Sequence, residues 1–296
     1  MDLFFEYDSL CYGTMGYEAD NMKEEMWIRL RTMYEEDRVP KLRMIATACR
    51  FAFCMILFSL ATNSTLRSTI RRICSVTIKN DDVSEIVSEY KQLIVYGTLV
   101  YVGWTRIPEE NFFWNSDEYL SDYPIIPLSR HVQFYYTIQL ASNLYLVAHP
   151  FLQQRDGLGT RMEWSVLVHH TLTLSLVLSS WICNCVRIGA LVFLIHDVST
   201  VFLKISRICK SAELIRLRNF AFVAFAATFF VFRVLGMTFV VIPLAIAARH
   251  IPHDGFPGLY YGSITMLIML TILHYFWFSK IMSLLLATAR EKPERA

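Results

Sequence analysis

Charged residues are scarce in this sequence. Only 18% of its 296 residues are Asp, Glu, Lys or Arg, whereas 54% are hydrophobic. An ordinary soluble domain has about 25% charged residues, so the composition excludes such a domain and predicts a protein that crosses a membrane several times. The net charge of +2 gives no sign of a nucleic-acid partner, and none is expected.

A cysteine framework is also missing. The seven cysteines are odd in number and scattered, mostly in or beside apolar runs. Such spacing indicates neither a disulfide scaffold nor a zinc site. Residues 1–42 have mixed charge with only short apolar runs, so no cleavable signal peptide is predicted there.

Seven segments can be argued as bilayer-spanning helices, for which about 20 mostly apolar residues are needed. They lie near residues 44–62, 90–105, 130–149, 162–182, 187–206, 219–247 and 259–287. The second is short, and the third contains Gln133, Gln139 and Asn143, which favour burial against other helices. The predicted fold class is all-α, a polytopic membrane helix bundle of about seven transmembrane helices.

The positions of Lys and Arg predict the orientation of this bundle. The segments after the first, third and fifth predicted spans and the C-terminal tail are basic, whereas the segment between the second and third spans is acidic. Basic loops stay in the cytoplasm. We therefore expect a polar N-terminal arm (1–42), a transmembrane bundle (43–289) and a short cytoplasmic tail (290–296).

Four ionisable side chains interrupt two adjacent spans. His169 and His170 lie in the fourth predicted span, and His196 and Asp197 lie in the fifth. A tight turn around residues 183–187 makes the two helices antiparallel neighbours. Counted from the cytoplasmic ends at about 1.5 Å per residue, His169 and His196 lie at similar depths of about 10 to 15 Å.

Each of these two helices is predicted to have one polar face. The residues that recur at helical spacing are Ser165, His169, Thr173, Ser180 and Asn184 in the fourth span, and Gly189, Phe193, His196 or Asp197, Thr200 and Lys204 in the fifth. Ionisable groups in apolar spans are costly and are usually functional. We expect both faces to point into one interior site.

The chemistry favoured by these residues is acyl transfer or proton abstraction. A neutral imidazole is both a base and a nucleophile near pH 7, and a carboxylate such as Asp197 can orient it. Histidines that only hydrogen-bond neighbouring helices are the structural alternative. A di-iron site needs more histidines, and Val166 occupies the position that would complete an HxxHH motif, so no metal ligand is assigned.

The run from His169 to Asp197 resembles the signature of the TLC-domain ceramide synthases. In that signature HH precedes a Ser-aromatic-x-x-Asn-x-x-Arg-x-Gly block and then HD, matched here by His169, His170, Ser180, Trp181, Asn184, Arg187, Gly189, His196 and Asp197. The resemblance covers about residues 85–288. It includes the YPIIP sequence from Tyr123, Arg233 in the sixth predicted span, and His274 and Trp277 in the seventh.

This resemblance implies a ceramide synthase, which transfers a fatty acyl group from acyl-CoA to the amine of a sphingoid base in the endoplasmic reticulum membrane. The catalytic residues it implies are His169, His170, His196 and Asp197. The supporting or substrate-binding residues it implies are Thr173, Ser180, Asn184, Arg187, Thr200, Arg233 and His274. Acyl-CoA is a co-substrate, so no cofactor is expected; the partners are acyl-CoA, the sphingoid base and membrane lipids, while a homodimer or an accessory subunit is left open.

A non-catalytic TLC-domain protein that binds lipid or regulates a membrane process is the alternative function. Two departures from the family pattern favour it: Thr200 stands where the family usually has a second acidic residue, and Lys204 where it has Glu. Arg161 and Glu163 also replace the Lys/Arg-Asp pair that normally precedes the fourth span.

Several further residues receive expectations from the same resemblance. A charge in the middle of a span is costly, so Arg233 is expected to bind towards Asp197 or the reacting carbonyl. The residues expected to face a CoA head group at the cytoplasmic side are Arg155, Arg161, Lys204 and Arg207. Residues 249–259 are where the family is thought to set acyl length.

Overall fold

The computed structural model describes residues 16–73, 80–119, 126, 128–155, 164–247 and 257–290, and in these ranges it contains helices and no strand. The helices are α1 (Gly16–Ile73), α2 (Asn80–Arg106), α3 (Asn111–Trp114), α4 (Arg130–Arg155), α5 (Trp164–Ile182), α6 (Val186–Ser211), α7 (Ile215–Thr228), α8 (Ile242–Ala247) and α9 (Pro257–Arg290). Short 3₁₀ turns, Ile107–Glu109 and Ser116–Tyr119, flank α3, and a π-helical stretch, Phe229–Val241, joins α7 to α8. The predicted all-α class is confirmed.

Two compact units divide the chain, residues 1–46 and residues 47–296. From residue 16 onward the first unit is helical, as the beginning of α1. The second unit contains the rest of α1 and the other helices. The boundaries predicted after residue 42 and before residue 290 stay predictions.

Within the part of the chain that the structure describes, five helices are long and apolar enough to cross a membrane. They are Leu42–Arg72, Ser165–Ile182, Val186–Ser211, Ile215–Ala247 and Tyr260–Ala287, and they coincide with the first, fourth, fifth, sixth and seventh predicted segments. The second and third predicted segments fall on α2 and α4, which have 27 and 26 residues but are more polar. The protein is therefore a multi-pass membrane protein, while the count of seven spans stays a prediction.

The outer surface of the bundle is apolar and its interior is partly polar. Phe58, Phe220 and Phe239 are each 70% exposed, whereas Gln139 and His274 are almost completely buried. Lipid offers no hydrogen bonds to polar groups, so these groups must find partners inside the protein. This distribution is the one expected for a bundle surrounded by hydrocarbon.

The polar residues predicted to be buried in the third span divide into two groups. Gln139 is buried, and Asn143 is half-buried and donates to the Gln139 carbonyl at 2.8 Å. Gln133, in contrast, is exposed, and its side chain donates to the Leu128 carbonyl at 3.0 Å. The predicted burial of Gln133 is wrong: this residue lies in the first turn of α4, and its side chain bonds a carbonyl of the segment that precedes the helix.

Helix α6 is the central element of the second unit. It packs against α2, α4, α5, α7 and the π-helical stretch. In its most apolar 18-residue stretch 61% is buried, whereas the corresponding share in the other four candidate spans is at most 33%. Small residues permit this closeness: a Cβ on Gly189 would collide with the Tyr136 hydroxyl of α4. A Cβ on Gly103 of α2 would lie 2.8 Å from Leu194 Cδ1. The polar groups of α6 are thus held against four neighbouring helices.

Candidate functional site

A cavity of about 950 Å³ runs along the inner face of α6. Its walls come from α2, α4, α5, α6, the π-helical stretch and α9. The α6 wall extends from Ile188 to Arg207, which is about 28 Å at 1.5 Å per residue. One end is charged, with Glu85, Glu89 and Arg207, and the other is lined mainly by apolar residues. This elongated shape suits an amphiphilic molecule.

The turn between α5 and α6 fixes the two histidine-bearing helices side by side. Asn184 has φ = 56°, a left-handed conformation that Asn tolerates better than most residues. The amides of Cys183 and Cys185 donate to the carbonyls of Ser179 and Ser180, each at 2.8 Å. These bonds satisfy the free carbonyls at the end of α5, and the tight turn predicted there is confirmed.

Two of the predicted supporting residues belong to this turn and do not line the cavity. Asn184 makes the left-handed bend. Arg187 donates to the backbone carbonyl of Glu118 and lies with its guanidinium carbon 5.5 Å from the centre of the Phe112 ring. The structure therefore gives both residues a part in anchoring the turn. Ser180, in contrast, lines the cavity and bonds the Tyr136 hydroxyl at 2.8 Å.

Burial controls the protonation of two groups outside the apolar spans. It raises the pKa of the Cys185 thiol to about 12, with a smaller contribution from Cys183. It also raises the pKa of the Tyr119 hydroxyl to about 12. Both groups are neutral at pH 7, so Cys185 contributes neither a charge nor a thiolate nucleophile to its end of the cavity.

Three histidines from three helices meet beside the cavity. The Nε2 atoms of His196 and His274 are 3.2 Å apart, and His196 Nδ1 is 2.6 Å from the Val192 carbonyl. Since a carbonyl only accepts, His196 Nδ1 carries a proton, and in the neutral pair the proton between the two Nε2 atoms belongs to His274. The His169 ring lies 6.3 Å from the His274 ring and 5.1 Å from the Trp277 ring.

His169 is the histidine of this cluster that both lines the cavity and has an unpaired nitrogen among the described residues. His274 Nδ1 is also unpaired there, but His274 does not line the cavity. The Nδ1 atom of His169 and Thr173 Oγ1, one turn further along α5, are buried and have no hydrogen-bond partner among the described residues. Both residues line the cavity, as do the half-buried His170 and the buried His196, whereas His274 lies behind them. Buried polar atoms are nearly always paired, so these two unpaired atoms on the cavity wall are candidates for contact with a ligand.

Asp197 is held by α4 and not by a histidine. Gln139 Nε2 donates to Asp197 Oδ2 at 2.5 Å and to the Tyr135 hydroxyl at 3.0 Å. Across the ranges that the structure describes, no hydrogen bond joins Asp197 to an imidazole, so the orienting role predicted for this carboxylate is not seen. Gln139 was noted from the sequence as a buried polar residue, but its partner could not be deduced.

Arg233 is a further buried cavity residue, located on the π-helical stretch. Its Nε and Nη2 donate to the His196 carbonyl at 3.2 and 2.6 Å, and Nη2 donates to Thr200 Oγ1 at 2.5 Å. The Phe229 ring lies 5.1 Å from its guanidinium carbon. The hydrogen-bonded link predicted for Arg233 therefore exists, but it goes to a backbone carbonyl and to Thr200, not to the Asp197 carboxylate.

An ion-pair cluster lies two helical turns away along α6. Lys204 Nζ is 2.9 Å from Glu89 Oε2, and Arg207 Nη1 is 3.1 Å from Glu89 Oε1. Lys204 and Glu89 have side chains only 9% and 8% exposed. Lys204 is thus committed to a carboxylate of α2 and does not form an open basic face. Sequence reasoning missed Glu89 because the second span was predicted to begin after it.

Other parts of the chain that were expected to bind a CoA head group or to set acyl length lie outside the residues that the structure describes. These are the side chain of Arg155, residue 161, and residues 249–256 of the segment between the last two predicted spans.

Comparison with known proteins places this architecture in a family. The TLC domain model matches residues 87–283. Ceramide synthase 4 of Mus musculus is 31% identical over 187 residues, which are 62% of this chain and 46% of that protein. Ceramide synthase hyl-1 of Caenorhabditis elegans is 33% identical over 169 residues, 52% of this chain and 44% of that protein.

A plant protein gives a similar result. Ceramide synthase LOH1 of Arabidopsis thaliana is 28% identical over 177 residues, 57% of this chain and 56% of that protein. The chain thus spans about half the length of these relatives. The chain belongs to the TLC domain family, and its resemblance to ceramide synthases, first noted from the histidine motif, is confirmed.

Proposed function

We propose that this protein is a ceramide synthase of the endoplasmic reticulum, which transfers a fatty acyl group from acyl-CoA to the amine of a sphingoid base. The observation that carries the proposal is the unpaired Nδ1 atom of His169, on the wall of an elongated cavity and beside the hydrogen-bonded His196–His274 pair. An imidazole nitrogen with a free lone pair is a nucleophile and a base.

His169 is assigned the nucleophilic role because it lines the cavity and its Nδ1 has no partner among the described residues. Both nitrogens of His196 are engaged, and His274 does not line the cavity. The Nδ1 lone pair bonds to the thioester carbonyl carbon, the carbon–sulfur bond breaks, and the Nε2 proton leaves with the CoA thiol. The amine nitrogen then attacks the same carbon, the bond to Nδ1 breaks, and the amine proton returns to the imidazole. His170, which also lines the cavity, provides a neighbouring basic site for these proton transfers.

The shape of the cavity supports one orientation of the substrates. The polar parts of acyl-CoA and the sphingoid base would occupy the end near Glu89 and Arg207, and the hydrocarbon chain would occupy the apolar end near Val177 and Leu267. Burying hydrocarbon in this apolar part is favourable by about 0.8 kcal/mol per CH₂ group. The reacting carbonyl would then lie between the two ends, at the level of His169.

The proposal is tested by assaying membranes that contain the protein for acylation of sphinganine with acyl-CoAs of several chain lengths. His169→Ala is expected to lower the rate at least about 100-fold, the usual contribution of a group that transfers protons or attacks the substrate. His131→Ala is the matched control, because the His131 side chain is 51% exposed beside Glu109 and Glu110. Activity that survives in the His169→Ala/His170→Ala double variant would remove the catalytic assignment.

A non-catalytic lipid-binding protein is the second candidate function. It is favoured by Thr200 and Lys204, which occupy the positions of two acidic residues in the family pattern and are engaged by Arg233 and Glu89. For this function, folded protein would bind lipid in the cavity but would form no amide product with acyl-CoA of any length tested.

A further inference from the structure

The guanidinium of Arg233 has only neutral partners in direct contact. Its bonds go to the His196 carbonyl and the Thr200 hydroxyl, and one face lies against the Phe229 ring. Within the ranges that the structure describes, Arg233 forms no ion pair with a carboxylate. A charge inside a membrane-spanning helix is costly when it is not compensated. Arg233 is buried and lines the cavity.

The buried carboxylate of Asp197 does not pair directly with the Arg233 guanidinium. Asp197 also lines the cavity, but its Oδ2 atom is bonded by Gln139 of α4. Attraction between Asp197 and Arg233 acts through space without occupying the N–H donors of the guanidinium. The Nε and Nη2 donors are bonded to neutral groups, so no carboxylate is in contact with the guanidinium and an anion in the cavity could pair with its charge.

Other features of the cavity suit an anion attached to a long hydrocarbon chain. His169 Nδ1 and Thr173 Oγ1 are two more polar atoms without a partner among the described residues, and both belong to the α5 wall. The remainder of that wall and the facing part of α9 present apolar side chains, including Leu176, Ile264 and Leu267.

We propose that this cavity binds a free long-chain fatty acid, with the carboxylate paired to Arg233. Thr200 gives the guanidinium a neutral partner: a carboxylate at position 200 would be in direct contact with Arg233 Nη2 and would neutralise its charge. This ligand is neither the thioester nor the amine of the proposed reaction, so the fatty-acid site goes beyond the acyl transfer.

The probe is radiolabelled palmitate, compared with hexadecanol of the same chain length, on purified protein in a neutral detergent at pH 8. The wild-type protein is expected to bind palmitate saturably and at least about tenfold more tightly than hexadecanol, because a hydrogen bond to a charged group is among the stronger ones. Equal affinity for the acid and the alcohol would overturn the proposal.

Variants at position 200 give the decisive comparison. Thr200→Asp supplies Arg233 with a counter-ion and is expected to weaken palmitate binding at least about tenfold while leaving hexadecanol binding unchanged. Thr200→Ser keeps the hydroxyl and is the matched control, with palmitate affinity retained. Equal weakening of both ligands by Thr200→Asp, or no weakening of palmitate, contradicts the site.

Arg233→Gln is a second variant, expected to abolish the preference for palmitate over hexadecanol. If it fails to fold, the comparison at position 200 still decides. Neither acyl-CoA nor a sphingoid base is present in the measurement. A negative acyl-transfer assay with preferential palmitate binding would therefore reject the proposed function alone, and the converse result would reject the fatty-acid site alone.

Discussion

The histidine cluster and the ion-pair cluster lie on the same helix, yet they are built in opposite ways. His196 and Lys204 are eight positions apart on α6, about 12 Å, and both are buried. Around Lys204 each charge is satisfied, because Glu89 accepts from both Lys204 and Arg207. Around His196 the groups form hydrogen bonds, but His169 Nδ1 is unpaired among the described residues.

The difference follows from the cost of leaving each kind of group without a partner. An unpaired buried ion costs several kcal/mol, so Glu89 and Lys204 must be locked together whether or not a ligand is present. An unpaired neutral polar atom costs about 1–3 kcal/mol, which a fold can tolerate at one place. The ion-pair cluster therefore serves stability, and the histidine cluster is left open for a ligand.

The largest expected effect is a loss of catalytic rate when the histidine cluster is changed. His196→Ala is expected to lower the rate of sphinganine acylation by about 10²- to 10⁴-fold, since it removes a group at the reacting centre. Its effect on stability is expected to be smaller, about 1–3 kcal/mol, because His274 Nε2 loses its partner. The measurement is kcat and KM for acyl-CoA in parallel with thermal unfolding in detergent. A raised KM with unchanged kcat would show that His196 only binds substrate.

Changes in the ion-pair cluster are expected to lower the stability of the protein. Glu89→Gln leaves Lys204 buried without its counter-ion and is expected to destabilise the protein by about 3–5 kcal/mol, seen as a lower Tm. Adding Lys204→Met removes the stranded charge and is expected to restore most of the loss. Equal destabilisation of the single and double variants would show that the pair does not behave as a buried ion pair.

A smaller effect is expected where α4 and α6 approach each other. Gly189→Ala places a methyl group against the Tyr136 hydroxyl and 3.1 Å from Ser180 Oγ, so a loss of about 1–3 kcal/mol in stability is expected. Gly97→Ala is the matched control, since nothing lies within 4 Å of the added Cβ. The same loss in both variants would mean that the close approach is not the cause.

The smallest effect concerns a chemical reaction at the other end of the cavity. A shift of the Cys185 pKa from 9.0 to about 12 lowers the thiolate fraction at pH 8 about 1000-fold, and only the thiolate reacts quickly. Maleimide labelling of Cys185, followed by mass spectrometry, should be slow in mild detergent and fast after unfolding in SDS. Rapid labelling in both conditions would contradict the burial of the thiol.

Local features of the site were predictable from the sequence because they depend on residues close together in the chain. The antiparallel pair α5–α6 follows from two apolar runs and a short connection, and the helical repeat places the polar residues of α6 on one face. Gly189, Phe193, His196, Thr200 and Lys204, all predicted on that face, line the cavity.

The partners of these residues were not predictable because they come from distant helices. Asp197 is bonded by Gln139, 58 positions earlier, and Arg207 by Glu89, 118 positions earlier. Such pairs depend on how one helix is shifted along another, which packing sets and a single sequence does not reveal. The bond from Gln139 to Asp197 could not be deduced for this reason, and the orienting role of Asp197 stays a prediction.

The contact between His196 and His274 also sets an order of events during synthesis. The two residues are 78 positions apart in the chain, and α9 leaves the ribosome after α5 and α6. At about 5–20 residues per second, the second imidazole follows the first by about 4–16 s. During that interval His196 Nε2 lacks its donor, so the histidine cluster is assembled only when α9 joins helices that have already been inserted.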